Sequence, residues 1–326
     1  MVELLCNDPL LHRILVELPN NPLRNLNAYV VQDGGESLVV DTGFNQSVCR
    51  ESLLTGLEEL GIDWKRTKLF LTHLHSDHIG LVWEFLQRGS TVYMHETDYD
   101  AANRGYPEKW KHLEEVYSRE GFPDDVMALQ QSGNQARAYA PKFPFPAQTV
   151  RHGTILPVGR YELHCIHTPG HTPGHTMLYL PEQQLLFSGD HILFDISPNI
   201  GIWERFPHSL EHYLDSLKKT RDLPVRQTFP AHRNCKGELS ARVDQLLEHH
   251  RARLAELLEA VRQHPGSSGY TLAGYLTWSA RGAKWEEFSP HQKWFATGET
   301  LAHLYYLTEH GQIRREEKDG KFFYTL

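Results

Sequence analysis

Four short apolar segments of this sequence are each followed closely by a histidine or an aspartate. The first, residues 68–72, has the length and bulk of a buried strand and runs directly into the motif His73-Leu74-His75-Ser76-Asp77-His78. The other three segments lead to His167, Asp190 and His232. Side chains at strand ends can converge outside one edge of a sheet, so the pattern predicts an α/β fold with one shared site.

The H-x-H-x-D-H motif lies between this apolar segment and residues 79–86, whose spacing predicts a helix with one apolar side. Imidazole and carboxylate are the ligands that zinc prefers, whereas calcium and magnesium take mostly oxygen ligands. The alternative is a polar loop with chance histidines, in a chain that contains 21 of them. Four ligand-competent side chains within one turn favour a metal site.

A second histidine-rich segment reads HTPGHTPGHT and spaces His167, His171 and His175 by Thr-Pro-Gly. Pro-Gly pairs form turns and cannot continue a helix, so the three histidines are predicted to lie on a loop. A strand is predicted on each side, at residues 161–166 and 176–180. The spacing alone does not select one of the three histidines as a metal ligand.

These motifs, together with Asp41 in the segment LVVDTG, resemble the five-motif pattern of metallo-β-lactamase-fold hydrolases. The resemblance covers about residues 27–232. It departs from the family in the last motif, which reads PAHR where many members have P-G-H-G, so that the ligand is kept while its turn changes. The resemblance implies a four-layer αββα sandwich and a dinuclear site similar to that of glyoxalase II.

The resemblance also implies a role for each motif residue. One divalent metal ion would be held by His73, His75 and His171. A second would be held by Asp77, His78 and His232, and Asp190 would bridge the two. Asp77 and Asp190 would be the catalytic carboxylates, acting with a hydroxide that both ions share. We expect zinc, although iron and manganese stay open because the same ligands suit all three.

Several neighbouring residues are expected to support the ligands without binding metal. By the resemblance, Asp41 holds the ligand turn in place. His167 and His175 are expected to make loop-stabilising hydrogen bonds, and His191 is interpreted in the same way. No G-x-S-x-G motif is present, and this chemistry requires no serine nucleophile.

Composition indicates a globular protein with two domains. The chain has 326 residues, 40% of them hydrophobic, which is enough for a large core. Its start lacks a basic stretch followed by an apolar core, and no apolar run approaches membrane-spanning length. The four cysteines are scattered and form no C-x-x-C pair, which suits reduced thiols. We therefore expect a cytoplasmic protein with no membrane partner.

The predicted hydrolase domain covers residues 1–239 and contains an insertion at about residues 98–148. Outside the motifs it has predicted strands at 28–32, 37–40 and 91–94 and a helix at 46–60. The insertion is predicted to be a helical pair with a proline-rich return. It could cover the metal site and contribute Tyr99, Tyr106 or Trp110 to a substrate pocket. The alternative is a helix pair that packs on the flank of the sheet.

The second predicted domain covers residues 240–326. Helices are predicted at 242–263, 271–280 and 290–309, and Asp319-Gly320 predicts a hairpin turn between two final strands. This order resembles the winged-helix tail on one branch of the family, which contains lactamase-like proteins described as endoribonucleases. The net charge of −8 argues against a nucleic-acid partner, although a local basic patch is left open.

Three functions fit these observations. The first is hydrolysis of a small ester, thioester or lactone, which makes a small molecule the expected partner. A phosphodiesterase or endoribonuclease is the second, favoured by the tail. The third is a non-enzymatic regulator that senses a ligand, which the complete ligand set disfavours. Whether the chain forms a homodimer is left open by the sequence.

Overall fold

The computed structural model describes residues 1–103, 106–278 and 283–326, without the side chains of residues 106–109. Contacts divide the chain into two compact units. The sheet unit comprises Met1–Arg104, Gln135–Pro198 and Leu217–Val243. The helical unit comprises Gly105–Asn134, Asn199–Ser216 and Asp244–Leu326. Much of the predicted insertion thus groups with C-terminal residues, and the predicted boundary at residue 239 stays a prediction.

The sheet unit contains two β-sheets. The first has seven strands in the order β1 to β7, antiparallel from β1 to β4 and parallel from β4 to β7. Its strands are β1 (Val2–Asn7), β2 (Leu10–Glu17), β3 (Asn25–Asp33), β4 (Glu36–Val40), β5 (Thr67–Leu71), β6 (Thr91–His95) and β7 (Gln148–Val150). The first two strands form a hairpin that the sequence analysis did not predict.

The second sheet has five strands in the order β12-β11-β10-β9-β8. They are β8 (Ile155–Val158), β9 (Tyr161–His167), β10 (Thr176–Leu180), β11 (Leu185–Gly189) and β12 (Gln227–Pro230). Neighbours are antiparallel except β11 and β12, which run parallel. The carboxyl ends of β11 and β12 therefore lie at the same edge of this sheet.

One apolar core lies between the two sheets. Alternate residues of the first sheet, such as Tyr29 and Val40, pack with alternate residues of the second, such as Leu178 and Phe187. Successive side chains of a strand point to opposite faces, so each sheet contributes one face to this core. The packed sheets hold the strand ends, and the loops that follow them, in fixed positions.

Eleven α-helices lie within the described residues. In chain order they are α1 (Ser47–Glu59), α2 (Ser76–Ile79), α3 (Val82–Leu86), α4 (Glu96–Asn103), α5 (Tyr106–Arg119), α6 (Asp124–Ser132), α7 (Gln135–Ala138), α8 (Ser209–Arg221), α9 (Leu239–Gln263), α10 (Gly269–Tyr275) and α11 (Pro290–Glu309). None of the helices in this part of the chain is long and apolar enough to cross a membrane.

The single helix predicted at residues 79–86 is wrong, because two short helices occupy this region. Helix α2 ends at Ile79 and α3 begins at Val82. Gly80 separates them, and a Cβ atom there would lie 2.5 Å from the carbonyl oxygen of Gly43. The close approach of this backbone turns the chain just after the H-x-H-x-D-H motif and begins a new helix.

After α9, the described part of the helical unit continues with the helices α10 and α11 and a terminal hairpin. Helix α11 and the strands β13 (Arg314–Lys318) and β14 (Lys321–Thr325) match the predicted elements, including the turn at Asp319-Gly320. Helix α10 ends at Tyr275, five residues before its predicted end, and residues 279 and 280 lie outside the described part. The backbone of Tyr324 in β14 also exchanges hydrogen bonds with residues 266 and 267.

Candidate metal centre

The loops at one edge of the two sheets bring all seven predicted metal ligands together within the sheet unit. His73 and His75 follow β5, while Asp77 and His78 lie in the single turn of α2 rather than in a loop. The remaining ligands come from the second sheet: His171 lies between β9 and β10, Asp190 directly follows β11 and His232 follows β12. Their roles as ligands stay predictions.

The first group consists of three imidazole rings. Nδ1 of His75 lies 3.0 Å from Nε2 of His73 and 3.0 Å from Nε2 of His171. Zinc binds imidazole nitrogen at about 2.0 to 2.1 Å, so tetrahedral ligands of one ion are about 3.3 Å apart. The spacing of the three nitrogens is therefore close to that of a shared ion.

The second group is formed by a carboxylate and two imidazole rings. Oδ2 of Asp77 lies 3.4 Å from Nε2 of His232 and 3.8 Å from Nε2 of His78. Asp190 lies between the two groups: its Oδ1 is 3.5 Å from Nε2 of His232, and its Oδ2 is 3.6 Å from Nε2 of His171. A carboxylate in this position can bind both ions at once.

Three buried atoms of this centre have no hydrogen-bond partner among the described residues: Nε2 of His78, Nε2 of His232 and Oδ1 of Asp190. A buried polar atom without a partner costs about 1 to 3 kcal/mol, so such atoms are rare in folded proteins. All three point into the same centre, where bound cations would satisfy them. The residues present therefore fit two divalent ions.

Hydrogen bonds on the far side fix the orientation of the two imidazole rings of the second group. Nδ1 of His78 lies 2.8 Å from Oδ2 of Asp41, and Nδ1 of His232 lies 2.9 Å from the carbonyl oxygen of Asn25. Both partners are acceptors, so Nδ1 is the donor of each ring. Each ring is thereby held with Nε2 facing the centre, and Nε2 is the nitrogen that a metal ion would bind in place of a proton.

The carboxylates give the second group a strong preference for positive charge. Burial opposes protonation of His78, but Asp41, Asp77 and Asp190 outweigh this effect and raise its pKa to about 10. Burial also opposes protonation of His232, yet Asp190 and Asp77 raise its pKa. Without metal the rings would bind protons, and with metal the same carboxylates would stabilise the cations.

The pKa of His73 is shifted in the opposite direction to that of His78. It is fully buried, and its pKa is lowered well below the ordinary value by burial and by the rings of His78, His75 and His171. A neutral imidazole keeps a lone pair for a metal ion near neutral pH. His73 is therefore in the protonation state that metal binding requires.

His175 uses both ring nitrogens in hydrogen bonds. Nδ1 pairs with the hydroxyl of Thr168 at 2.9 Å, and Nε2 accepts a hydrogen bond from the backbone N–H of Asp190 at 3.1 Å. Gly189 has a φ of 52°, and a Cβ there would lie 2.6 Å from Nε2 of His175. This arrangement supports His171 as the ligand within the repeat and His175 as a residue that positions Asp190.

The other flanking histidines also make local contacts. Nε2 of His167 lies 2.9 Å from the carbonyl oxygen of Pro173, and its ring stacks on His95 at 4.0 Å. Nε2 of His191 lies 3.5 Å from the hydroxyl oxygen of Thr220. These contacts suit the loop-stabilising roles that the sequence analysis assigned to them.

One residue of this region, Asp98, is not among the residues predicted for the site. It was assigned to the start of the insertion, but its side chain is fully buried and accepts hydrogen bonds from Leu74, Thr172 and Gly174. The sequence contains an indication of its role. Asp98 lies four residues after the predicted strand 91–94, much as Asp41 directly follows the predicted strand 37–40.

The three residues suggested for a substrate pocket are not brought into one described site. Tyr99 is half-buried in α4 and lies edge-on to Phe145, with ring centroids 6.2 Å apart. Trp110 is half-buried in α5 and belongs to the helical unit. The side chain of Tyr106 lies outside the described residues. Substrate binding by these residues stays a prediction.

Two family models match the sequence. One, described as the metallo-beta-lactamase superfamily, matches residues 22–232, and another, described as the metallo-beta-lactamase-like C-terminal domain, matches residues 285–325. The first covers more than half of the chain, so the chain belongs to the metallo-beta-lactamase superfamily. The winged-helix description of the tail and the likeness of the site to glyoxalase II stay predictions.

Curated relatives are similar over about three quarters of the chain. The lactamase-like protein nscB of Trichophyton rubrum is 25% identical over 247 residues, which are 74% of this chain and 59% of that protein. The lactamase-like protein adaB of Aspergillus niger is 26% identical over 261 residues, which are 78% of this chain and 66% of that protein. The chain thus spans less than two thirds of the length of either relative.

Two solved structures match nearly the whole chain. A metallo-beta-lactamase family protein from Thermus thermophilus is 29% identical, with a TM-score of 0.79 and coverage of 97% of this chain and 98% of that one. A beta-lactamase domain protein from Burkholderia ambifaria is 24% identical, with a TM-score of 0.82 and coverage of 99% and 94%. The predicted α/β fold class with a small C-terminal domain is therefore confirmed.

Proposed function

We propose that this protein is a dinuclear metal-dependent hydrolase that acts on a small ester, thioester or lactone. The observation that carries the proposal is the convergence of seven predicted ligand side chains, three of which have a buried atom without a hydrogen-bond partner in the described part of the chain. Two divalent ions bound there, zinc in the first instance, would act as Lewis acids and lower the pKa of a water molecule that serves as the nucleophile.

The protein groups divide the remaining work among themselves. Asp190 has one oxygen near His171 of the first group and the other near His232 of the second, so its charge would offset that of two bound cations. Asp77 retains a side-chain exposure of 12%, which leaves its carboxylate within reach of solvent and makes it our choice as proton acceptor for the attacking water. The rings of His78 and His232, held by hydrogen bonds on their far sides, keep the second ligand group in one geometry before substrate arrives.

The absence of paired cysteines in the described part of the chain supports a cytoplasmic location, which we include in the proposal. All four cysteines are free. Burial raises the pKa of Cys49 to about 11 and that of Cys165 to about 12, so both thiols stay protonated and unreactive near neutral pH. Free thiols without disulfides are typical of a reducing compartment.

The second candidate is a phosphodiesterase or endoribonuclease. It is favoured by the C-terminal hairpin β13–β14 and by the backbone hydrogen bonds of β14 to residues 266 and 267, an arrangement that resembles a three-stranded wing. A regulator without catalytic activity is the third candidate. We rank it last because a sensor has no need of the complete ligand set.

The test is hydrolysis by metal-loaded protein of a panel of thioesters, lactones, phosphodiesters and short RNAs. We expect cleavage of a thioester, ester or lactone that stops when the metal is chelated or when Asp190 is changed to Asn. Preferential cleavage of RNA or phosphodiesters would favour the second candidate. Two bound ions without hydrolysis of any member of the panel would favour the third.

A further inference from the structure

Asp98 is a buried carboxylate that the proposed reaction does not use. It lies in the first turn of α4 and has no solvent exposure. Its Oδ2 accepts hydrogen bonds from the backbone N–H of Leu74 at 3.0 Å and from the hydroxyl of Thr172 at 2.6 Å. Its Oδ1 accepts one from the backbone N–H of Gly174 at 2.6 Å.

The three donors belong to the two loops that carry the first ligand group. Leu74 separates His73 from His75, and Thr172 directly follows His171. One carboxylate thus joins two loops that are about a hundred residues apart in sequence. Hydrogen bonds to an ionised acceptor are roughly twice as strong as neutral ones, so this connection is well suited to fixing a geometry.

The loop of His171 also packs tightly on Asp98. A Cβ atom at Gly174 would lie 2.6 Å from the backbone nitrogen of Asp98 and 2.7 Å from its Oδ1. Any residue larger than glycine would push the loop away from α4. The Thr-Pro-Gly repeat therefore has two features that suit this contact. Thr172 donates a hydrogen bond to the carboxylate, and Gly174 has no side chain that would keep the loop away from it.

We propose that Asp98 is a positioning residue for the first metal ion, setting the separation of His171 from His73 and His75. The inference rests on the proposed function, since it concerns one of its two ions. Asp41 contacts His78 of the second group directly and is linked to His73 of the first group through the hydroxyl of Thr72. A purely structural aspartate in α4 would affect folding alike with and without metal.

The experiment measures metal binding rather than activity. Protein stripped with a chelator is titrated with Co²⁺, read by visible absorption, and with Zn²⁺ in competition with an indicator. The titration is carried out in a His232→Ala background, which removes a ligand of the second group alone, so the ion retained reports the first group. Wild-type protein is titrated alongside.

In Asp98→Asn the side-chain amide must face the N–H of either Leu74 or Gly174, donor against donor. We expect affinity for the first ion to fall by about 10- to 100-fold, the usual effect of removing a residue that orients metal ligands. Asp100→Asn is the matched control, because Asp100 lies on the same helix and is exposed. It should bind as the background protein does.

Unchanged affinity in Asp98→Asn would overturn the inference. If that variant does not fold, Thr172→Val decides the matter, because it removes one donor and keeps the side-chain shape. Weaker binding of the first ion in that variant supports the inference, and unchanged binding overturns it. Wild-type protein that binds one ion contradicts the dinuclear proposal without affecting this test, whereas wild-type protein that binds none overturns both.

Discussion

Asp41 and His78 are joined by a hydrogen bond of 2.8 Å between Oδ2 and Nδ1. The same carboxylate accepts hydrogen bonds from the backbone N–H and the hydroxyl of Thr72, each at 2.8 Å. One buried side chain therefore fixes both the end of the strand before the H-x-H-x-D-H motif and the ring of its last histidine. The backbone of Asp41 adopts a φ of 61°, a region in which aspartate and asparagine are tolerated better than most residues.

The first prediction concerns Asp41→Asn, which preserves size and tolerates the same backbone conformation. The amide can no longer accept both from Thr72 and from His78 as an anion does, so the ring loses its fixed orientation. We expect affinity for the second metal ion to fall by about 10- to 100-fold, measured by titration of chelator-treated protein with Zn²⁺.

Asp319→Asn is a suitable control for that change, because Asp319 also has a positive φ, 51°, but lies in the hairpin turn of the helical unit. Its metal affinity should match wild type. Equal metal affinities in Asp41→Asn and wild type would show that Asp41 serves the loop and not the ligand.

The second prediction separates the bridging carboxylate from the ligands of single ions. Asp190→Asn removes a charge shared by both ions, so we expect elemental analysis to find far less than one ion per chain and activity to fall by orders of magnitude. His171→Ala and His232→Ala should each lose one ion and retain the other. Equal metal loss in all three variants would contradict the assignment of a bridge to Asp190.

The third prediction concerns acid stability and His303 in the helical unit. Burial lowers the pKa of His303 to about 4 from an ordinary value of 6.5. Its Nε2 lies 3.1 Å from Nδ1 of His250, and its Nδ1 donates to the carbonyl oxygen of Glu299 at 2.7 Å. Arg253 and His249 add to the effect, whereas the charge of Glu299 opposes it.

The direction of the pH effect on stability follows from the number of protons bound in each state. Between about pH 6.5 and 4 the unfolded chain binds a proton at His303 that the folded chain does not. The contribution of neutral His303 to stability is therefore fully present above pH 6.5 and is lost as the pH falls. The loss between pH 7 and pH 5 is about 2 kcal/mol. His303→Gln should remove most of this loss, as measured by denaturant unfolding at both pH values in the presence of a chelator.

His310→Gln provides the comparison, because His310 is exposed at the end of the same helix. Its pH dependence should equal that of wild type. A His303→Gln protein that loses as much stability at pH 5 as wild type would show that other groups cause the acid sensitivity.

The convergence of the motif residues was predictable because each motif is local in sequence. Each motif follows a short apolar segment, and the carboxyl ends of strands meet at one edge of a sheet. Asp98 was not predicted because its role depends on two loops meeting over α4, which no spacing in the sequence records. The hairpin β1–β2 was missed for a similar reason: strand β1 is an edge strand with mixed burial and no clear alternation of apolar residues.

The fourth prediction concerns the two arginines of the terminal hairpin, which have different surroundings. Arg314 is exposed, whereas Arg315 donates from Nη2 to the fully buried carboxylate of Glu120 at 2.8 Å. The hydroxyl of Tyr324 also donates to Glu120, at 3.0 Å, and the guanidinium of Arg315 lies 3.4 Å from the ring centroid of Phe322. Arg315 is therefore half-buried and held in place within the helical unit by these contacts.

Breaking a buried ion pair by removing one partner costs about 3 to 5 kcal/mol, so Arg315→Ala should lower the free energy of unfolding by that amount. Arg314→Ala should change it by less than about 0.5 kcal/mol.

The tail should also bind nucleic acid weakly. From residue 240 to 326, Lys and Arg together equal Asp and Glu in number. Because affinity for a phosphate backbone depends on clustered cations, wild type should bind nucleic acid weakly at about 0.15 M salt. Binding of labelled duplex DNA and single-stranded RNA checks this. Sub-micromolar binding that Arg314→Ala abolishes in a folded protein would contradict a structural role for the tail and favour the endoribonuclease.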